Sequence, residues 1–166
     1  MILGLPPLTF LHTLISLVGI FTGLVVLFGG FLANKHLPRW TAWFLITTVL
    51  TSATGYILPA AHFMPSHVVG IVSLLVLAVS LFALYSKRLQ GGWRRTYVIT
   101  AVIALYFNVF VLVAQLFAKV PALKELAPTG TEPPFIVAQV IVMVAFIVLG
   151  VLGTRKFHPA APAKAA

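Results

Sequence analysis

The chain has 166 residues, of which 61% are hydrophobic and only 8% charged, against roughly 25% charged in an ordinary soluble domain. That composition excludes a soluble globular domain and points to an integral membrane protein. The formal charge of +9 is no nucleic-acid signature, because the basic residues fall in short clusters between apolar runs, and the absence of cysteine removes thiol nucleophiles and cysteine-ligated metals.

Five apolar runs approach the roughly 20 residues needed to cross a bilayer. The opening MILGLPPLTFLH has no basic start, so it reads as the approach to a retained helix and not as a cleaved signal. The first span covers residues 8–33. His12, Ser16, Gly19, Gly23 and Gly30 fall on one face of it, and Gly19 with Gly23 makes a GxxxG pair that admits a neighbouring backbone. After NKHLPR comes the second span, 40–58, with a stripe of Thr47, Thr51 and Thr54. The stretch AAHFMPSHVVG then sets His62 and His67 five residues apart. The third span, 67–85, follows Ser66 with Gly70, Ser73 and Ser80 in line. Beyond SKRLQGGWRR, the fourth span, 96–118, is preceded by Lys87, Arg88, Arg94 and Arg95; Tyr97, Ala101, Ala104, Asn108 and Gln115 share one of its sides.

The next segment, KVPALKELAPTGTEPP at 119–134, is longer than the other links. PALKEL predicts a short interfacial helix with Leu123 and Leu126 towards lipid, and APTGTEPP stops it. Such a loop suits a lid over a polar pocket. The fifth span, 135–153, aligns Gln139, Phe146, Gly150 and Gly153. The sequence thus predicts an all-α polytopic bundle of five transmembrane helices forming one domain, 1–154, followed by a basic Ala/Pro-rich tail, 155–166.

Basic residues set the expected orientation. Nine of them (Lys35, Arg39, Lys87, Arg88, Arg94, Arg95, Arg155, Lys156 and Lys164) fall in one set of links and termini, and only Lys119 and Lys124 in the other. The positive-inside rule then puts the N-terminus outside and the C-terminus in the cytoplasm. In that frame Ser16, Thr51, Thr54, Gln115 and Gln139 lie in the outer half of the membrane and Asn108 near its middle. Polar groups in hydrocarbon are costly unless paired, so these six predict a polar pocket or hydrogen-bonded network opening outward. Asn108, Gln115 and Gln139 also suit a plainer task, binding helix to helix.

His12, His62 and His67 gather on the same outer side. Imidazole is the commonest metal ligand and a histidine pair can clamp haem, so a haem or divalent-metal site is one reading. The plainer reading has His67 capping a helix beside Ser66, His62 in a wet loop, and His12 satisfying a neighbouring carbonyl. No zinc-ligand spacing is present.

Several chemistries are disfavoured. No carboxylate lies in any span, which argues against a proton-driven transporter. The two acids, Glu125 and Glu132, share one loop; without any aspartate a Ser–His–Asp triad cannot form, and no phosphate-binding or dinucleotide fingerprint occurs. Catalysis is therefore not expected, with a haem-borne redox role left open.

NVFVLVAQLFAKVPALKELAPTGTEPPF (108–135) and SHVVGIVSLLVLAVSLFALYSKRL (66–89) resemble a group of small bacterial membrane proteins with no assigned activity. That resemblance implies a bacterial inner membrane, with the outer side periplasmic, and carries over no functional residues. HVVG is also distantly similar to helices of di-haem membrane cytochromes, but four axial histidines are not present here. Three functions stay open from sequence: a structural or accessory protein, as a subunit of a larger membrane complex; an outer-side metal-, haem- or small-ligand-binding protein using His12 and His67; and a small channel or carrier. The bilayer and other membrane subunits are the partners expected; nucleic acid is not.

Overall fold

The computed structural model describes residues 6–58 and 65–158. Among these the chain is all helical. Helix α1 (Pro7–Leu24) continues as a π-helical stretch, Val25–Phe31; α2 is Pro38–Thr54; α3 (Pro65–Leu81) also ends in a π-helical turn, Phe82–Ser86. Then come α4 (Trp93–Lys119), the short α5 (Pro121–Leu126) and α6 (Pro133–Lys156). All of these except α4 begin on proline. Proline's fixed φ and missing N–H suit the first helical position, where the donor has no partner inside the helix.

Four helical stretches are long and apolar enough to cross a membrane: Pro7–Phe31, His67–Ser86, Trp93–Lys119 and Pro133–Lys156. α2 is shorter, at 17 residues. It stops at Thr54 and not at 58, and the chain turns through Gly55, Tyr56 and Ile57. The helix expected at PALKEL is present, with Leu126 exposed and Leu123 partly covered.

Contacts running in opposite sense along pairs of helices give their directions. His12 meets Thr54, Gly19 faces Thr47, and Gly23 faces Phe44, so α2 descends as α1 ascends. The same argument makes α2 and α3 antiparallel, through Tyr56 with Gly70 and Ser52 with Ser73. It also makes α4 and α6 antiparallel, through Gln139 with Phe110, Gly150 with Val102 and Gly153 with Val98. Gly19 beside Asn108 and Gly23 beside Leu105 set α4 antiparallel to α1, so the five long helices alternate in direction. α4 is central, packing on α1, α3 and α6, and its Val98, Ala101, Ala104 and Leu105 supply much of the core.

The alternation sorts the chain into two ends. At the basic end Phe157 is buried edge-on against Phe31. Arg94 donates to the carbonyls of Thr154 and Phe157, and Asn34, at φ 53°, accepts the His158 N–H at 2.6 Å. A cation among the last carbonyls of a helix complements its dipole. The tail expected from 155 thus begins later: Arg155 and Lys156 finish α6, and Phe157 belongs to the core. Phe157 is apolar and sits one turn beyond Gly153, so it completes the same packed face.

Candidate functional site

At the opposite end, α1, α2, α3 and α4 enclose a cavity of about 490 Å³. α1 contributes Thr9, His12, Thr13 and Ser16; the end of α2 contributes Thr51, Ser52 and Tyr56; α3 contributes His67, Gly70 and Ser73; α4 contributes Asn108, Gln115 and Lys119. Apolar walls are supplied by Leu17, Ile20, Phe107, Val111 and Leu112. Among the described residues Lys119 is the cation of the lining, and no carboxylate is in it.

Two hydroxyls of the lining are satisfied within their own helix, and Thr51 Oγ1 is buried with no partner among the described residues. Thr13 donates to Thr9 O at 2.8 Å and Ser16 to His12 O at 2.8 Å, the back-bonding by which Ser and Thr live inside apolar helices. Other bonds cross between helices around the cavity. Ser52 donates to Ser73 Oγ at 3.2 Å, and Asn108 Nδ2 to Thr48 Oγ1 at 3.3 Å beneath the floor. Tyr56 donates to the His67 carbonyl at 2.6 Å, and the two rings stack at 5.6 Å.

His12 is tied to the end of α2 through its ring. Its Nδ1 lies 2.8 Å from Thr54 Oγ1, and that hydroxyl has the Leu50 carbonyl at 2.7 Å. A hydroxyl has one proton to give, and the carbonyl only accepts. When the threonine gives its proton to Leu50, His12 donates through Nδ1–H. In that tautomer Nε2 is the acceptor of the neutral ring, able to take a ligand proton or a metal ion.

The structure brings His12, His67, Ser16, Thr51, Asn108 and Gln115 around one cavity. Thr54 stands behind His12 without lining it. Gln139 does not join them: α6 packs on another side of α4, where Gln139 Nε2 donates to Phe110 O at 3.1 Å and Oε1 is buried with no partner. His62 lies outside the described residues. Among the described residues no three His, Asp or Glu side chains gather where a metal could sit, so a metal here would draw on His12 and His67 with donors of another kind.

The small residues divide likewise. Gly19 and Gly23 face α2 and α4, not a second chain: a Cβ on Gly23 would stand 2.6 Å from Leu105 and 2.8 Å from Phe44. Gly70 makes room for the Tyr56 hydroxyl, and Gly30 sits at the basic end beside the Lys35 carbonyl. Sequence reasoning missed Tyr56 and Ser52. Tyr56 lies just past α2 in TGY, where a glycine followed by an aromatic marked the helix end.

The 119–134 loop does not form a lid, since only Lys119 and Val120 of it reach the cavity. It is folded about its own acid. Thr129 donates to Glu132 Oε1 through N–H at 3.1 Å and through its hydroxyl at 2.8 Å, and the Thr131 N–H reaches Oε2 at 3.0 Å. These bonds, the Thr129 hydroxyl first, hold the Glu132 carboxyl down at about 2.

No family model matches this chain, and neither a curated protein nor a solved structure is found to be similar to it.

Proposed function

We propose that this chain is a multi-pass bacterial inner-membrane protein that crosses the bilayer five times, N-terminus outside, and binds a small hydrogen-bonding ligand in the cavity at its outer end. The cavity carries this reading. Its apolar walls and few convergent polar groups have the make-up of a small-molecule site, and its size falls in the usual range for one.

Five crossings are supported by the alternating helix directions and by α2, which lies along α1 from His12 to Gly23. The orientation is supported by the cations at the basic end, which the positive-inside rule assigns to the cytoplasm. Ligand binding is favoured over conduction because Asn108 and Thr48 hydrogen-bond across the floor beneath the cavity. A second reading, an accessory subunit of a larger membrane complex, draws on α6. Its Ile136, Val137, Val140, Ile141, Val144 and Val148 are exposed, as a lipid- or partner-facing helix requires.

The test is to purify the protein gently from its native membrane into nanodiscs and identify what stays bound by mass spectrometry and elemental analysis. A retained small molecule, lost when Val111→Trp fills the cavity, supports binding. Iron, zinc or copper lost in His12→Ala moves the reading to redox or sensing. A stable protein that retains only bulk lipid sinks it and leaves the accessory role.

A further inference from the structure

A second hollow lies on the apolar flank of the bundle. It is a groove of about 380 Å³ between α4 and α6, lined by Ile103, Tyr106, Phe107, Met143, Phe146 and Ile147, with Gly150 deeper in. Phe107 lines both this groove and the polar cavity. Its half-buried ring stands on the part of α4 that lies between α3 and α6. Cavity and groove are therefore neighbours across one side chain, and the groove is open to the lipid phase.

The two hollows differ in chemistry. The cavity has Lys119 at its outer rim, with the Gln115 amide one turn below and, among the described residues, no carboxylate in its lining. The groove is almost wholly apolar. From Lys119 to Phe107 the helical rise spans about 18 Å, so a head group held at the rim places the end of a long chain at Phe107. A fully extended palmitoyl chain has about that length; an octanoyl chain ends inside the cavity.

We propose that the ligand is an anionic, long-chain amphipath taken from the outer leaflet. Its carboxylate or phosphate head pairs with Lys119 and Gln115. Its tail runs down the apolar wall of Val111 and Leu112 and ends at Phe107, where the cavity meets the α4–α6 groove. This rests on the ligand-binding reading above and adds the ligand's class and its route. An anion fits because a cation would meet Lys119 with no acid to offset it. A long tail fits because the groove offers apolar wall and nothing for a second head group.

Photoaffinity labelling in vesicles tests it, using palmitate and octanoate that each carry a terminal diazirine. Competition with unmodified palmitate separates saturable labelling from passive contact with lipid. The palmitate probe should saturably label the α6 peptide around Met143–Ile147, and the octanoate probe should label only cavity residues of α1–α4. Lys119→Gln should cut both signals about fivefold or more. Met143→Trp or Ile147→Trp, at exposed positions where folding is little affected, should cut only the α6 signal. Saturable labelling confined to the cavity for both chain lengths overturns the tail route and keeps the cavity as a site. Equal labelling with and without competitor, for both probes, overturns the ligand-binding reading as well. A signal unchanged by Lys119→Gln overturns the anionic head.

Discussion

The Tyr56 hydroxyl donates to the His67 carbonyl at 2.6 Å and fastens the end of α2 to the first turn of α3. Gly70, one turn on, leaves the space that the tyrosine fills: a Cβ there would lie 2.8 Å from the hydroxyl oxygen. The bond and the gap together shape one wall of the cavity.

Tyr56→Phe removes only the hydroxyl and should cost about 1 kcal/mol, the net worth of one hydrogen bond. Gly70→Ala displaces the tyrosine, so it should cost at least as much and also loosen the stack on His67. Both are read from thermal unfolding in detergent micelles. A silent Gly70→Ala beside a costly Tyr56→Phe would show that the ring is not held where the structure has it.

Gly19 and Gly23 look equivalent as a GxxxG pair but differ in surroundings. At Gly23 a new Cβ meets the Phe44 ring and Leu105, so Gly23→Ala should lose roughly 1–3 kcal/mol through overpacking. At Gly19 the nearest atom is Thr47 Oγ1, at 3.2 Å, and Gly19→Ala should lose less than about 1 kcal/mol. Equilibrium unfolding in mixed micelles, followed by circular dichroism, ranks them; the opposite order would refute this packing.

Glu132 makes the loop before α6 sensitive to acid. Its carboxyl titrates near 2 when folded, against 4.5 for the free group, so the stabilisation it gives is full above 4.5 and lost as pH falls through about 2. Hydrogen exchange at the Thr129 and Thr131 amides should accelerate, relative to the intrinsic rate, across that window. Glu132→Gln should leave these amides weakly protected and insensitive to pH there. Protection that persists unchanged to pH 2 would mean that the carboxylate does not organise the loop.

The absence of native cysteine makes threading directly measurable. In intact spheroplasts an impermeant maleimide should label Ile57→Cys and Thr129→Cys, and Gln90→Cys only after permeabilisation. Labelling of Gln90→Cys alone would invert the protein. Labelling of Thr129→Cys without Ile57→Cys would mean that α2 does not cross.

Length and hydropathy of the apolar runs determined the helices, because a backbone in lipid must satisfy its own hydrogen bonds and the helix is the local way to do so. The runs at 96–118 and 135–153 differ from α4 and α6 by a few residues at each end. Prolines at 7, 38, 65, 121 and 133, which mark helix starts, sharpen those bounds further. The same local character made the helical faces legible: Gly23 and Asn108 could be placed on packing sides from periodicity alone.

Which face meets which neighbour was a tertiary decision. Periodicity puts Gln139 on the inner side of its helix just as it does Asn108, yet α6 packs on a flank of α4 away from the cavity, and Gln139 bonds to Phe110 instead. Tyr56 belongs to no stripe, and it reaches the cavity only because α2 ends four residues early. Phe107 reads as one more apolar residue; that it separates a polar cavity from a lipid-facing groove depends on how α3 and α6 flank α4. A sequence records the preferences of each helix, and helix–helix packing, set by the fit of glycines against rings such as Phe44, selects the single arrangement that brings His12, Tyr56 and Lys119 to one cavity.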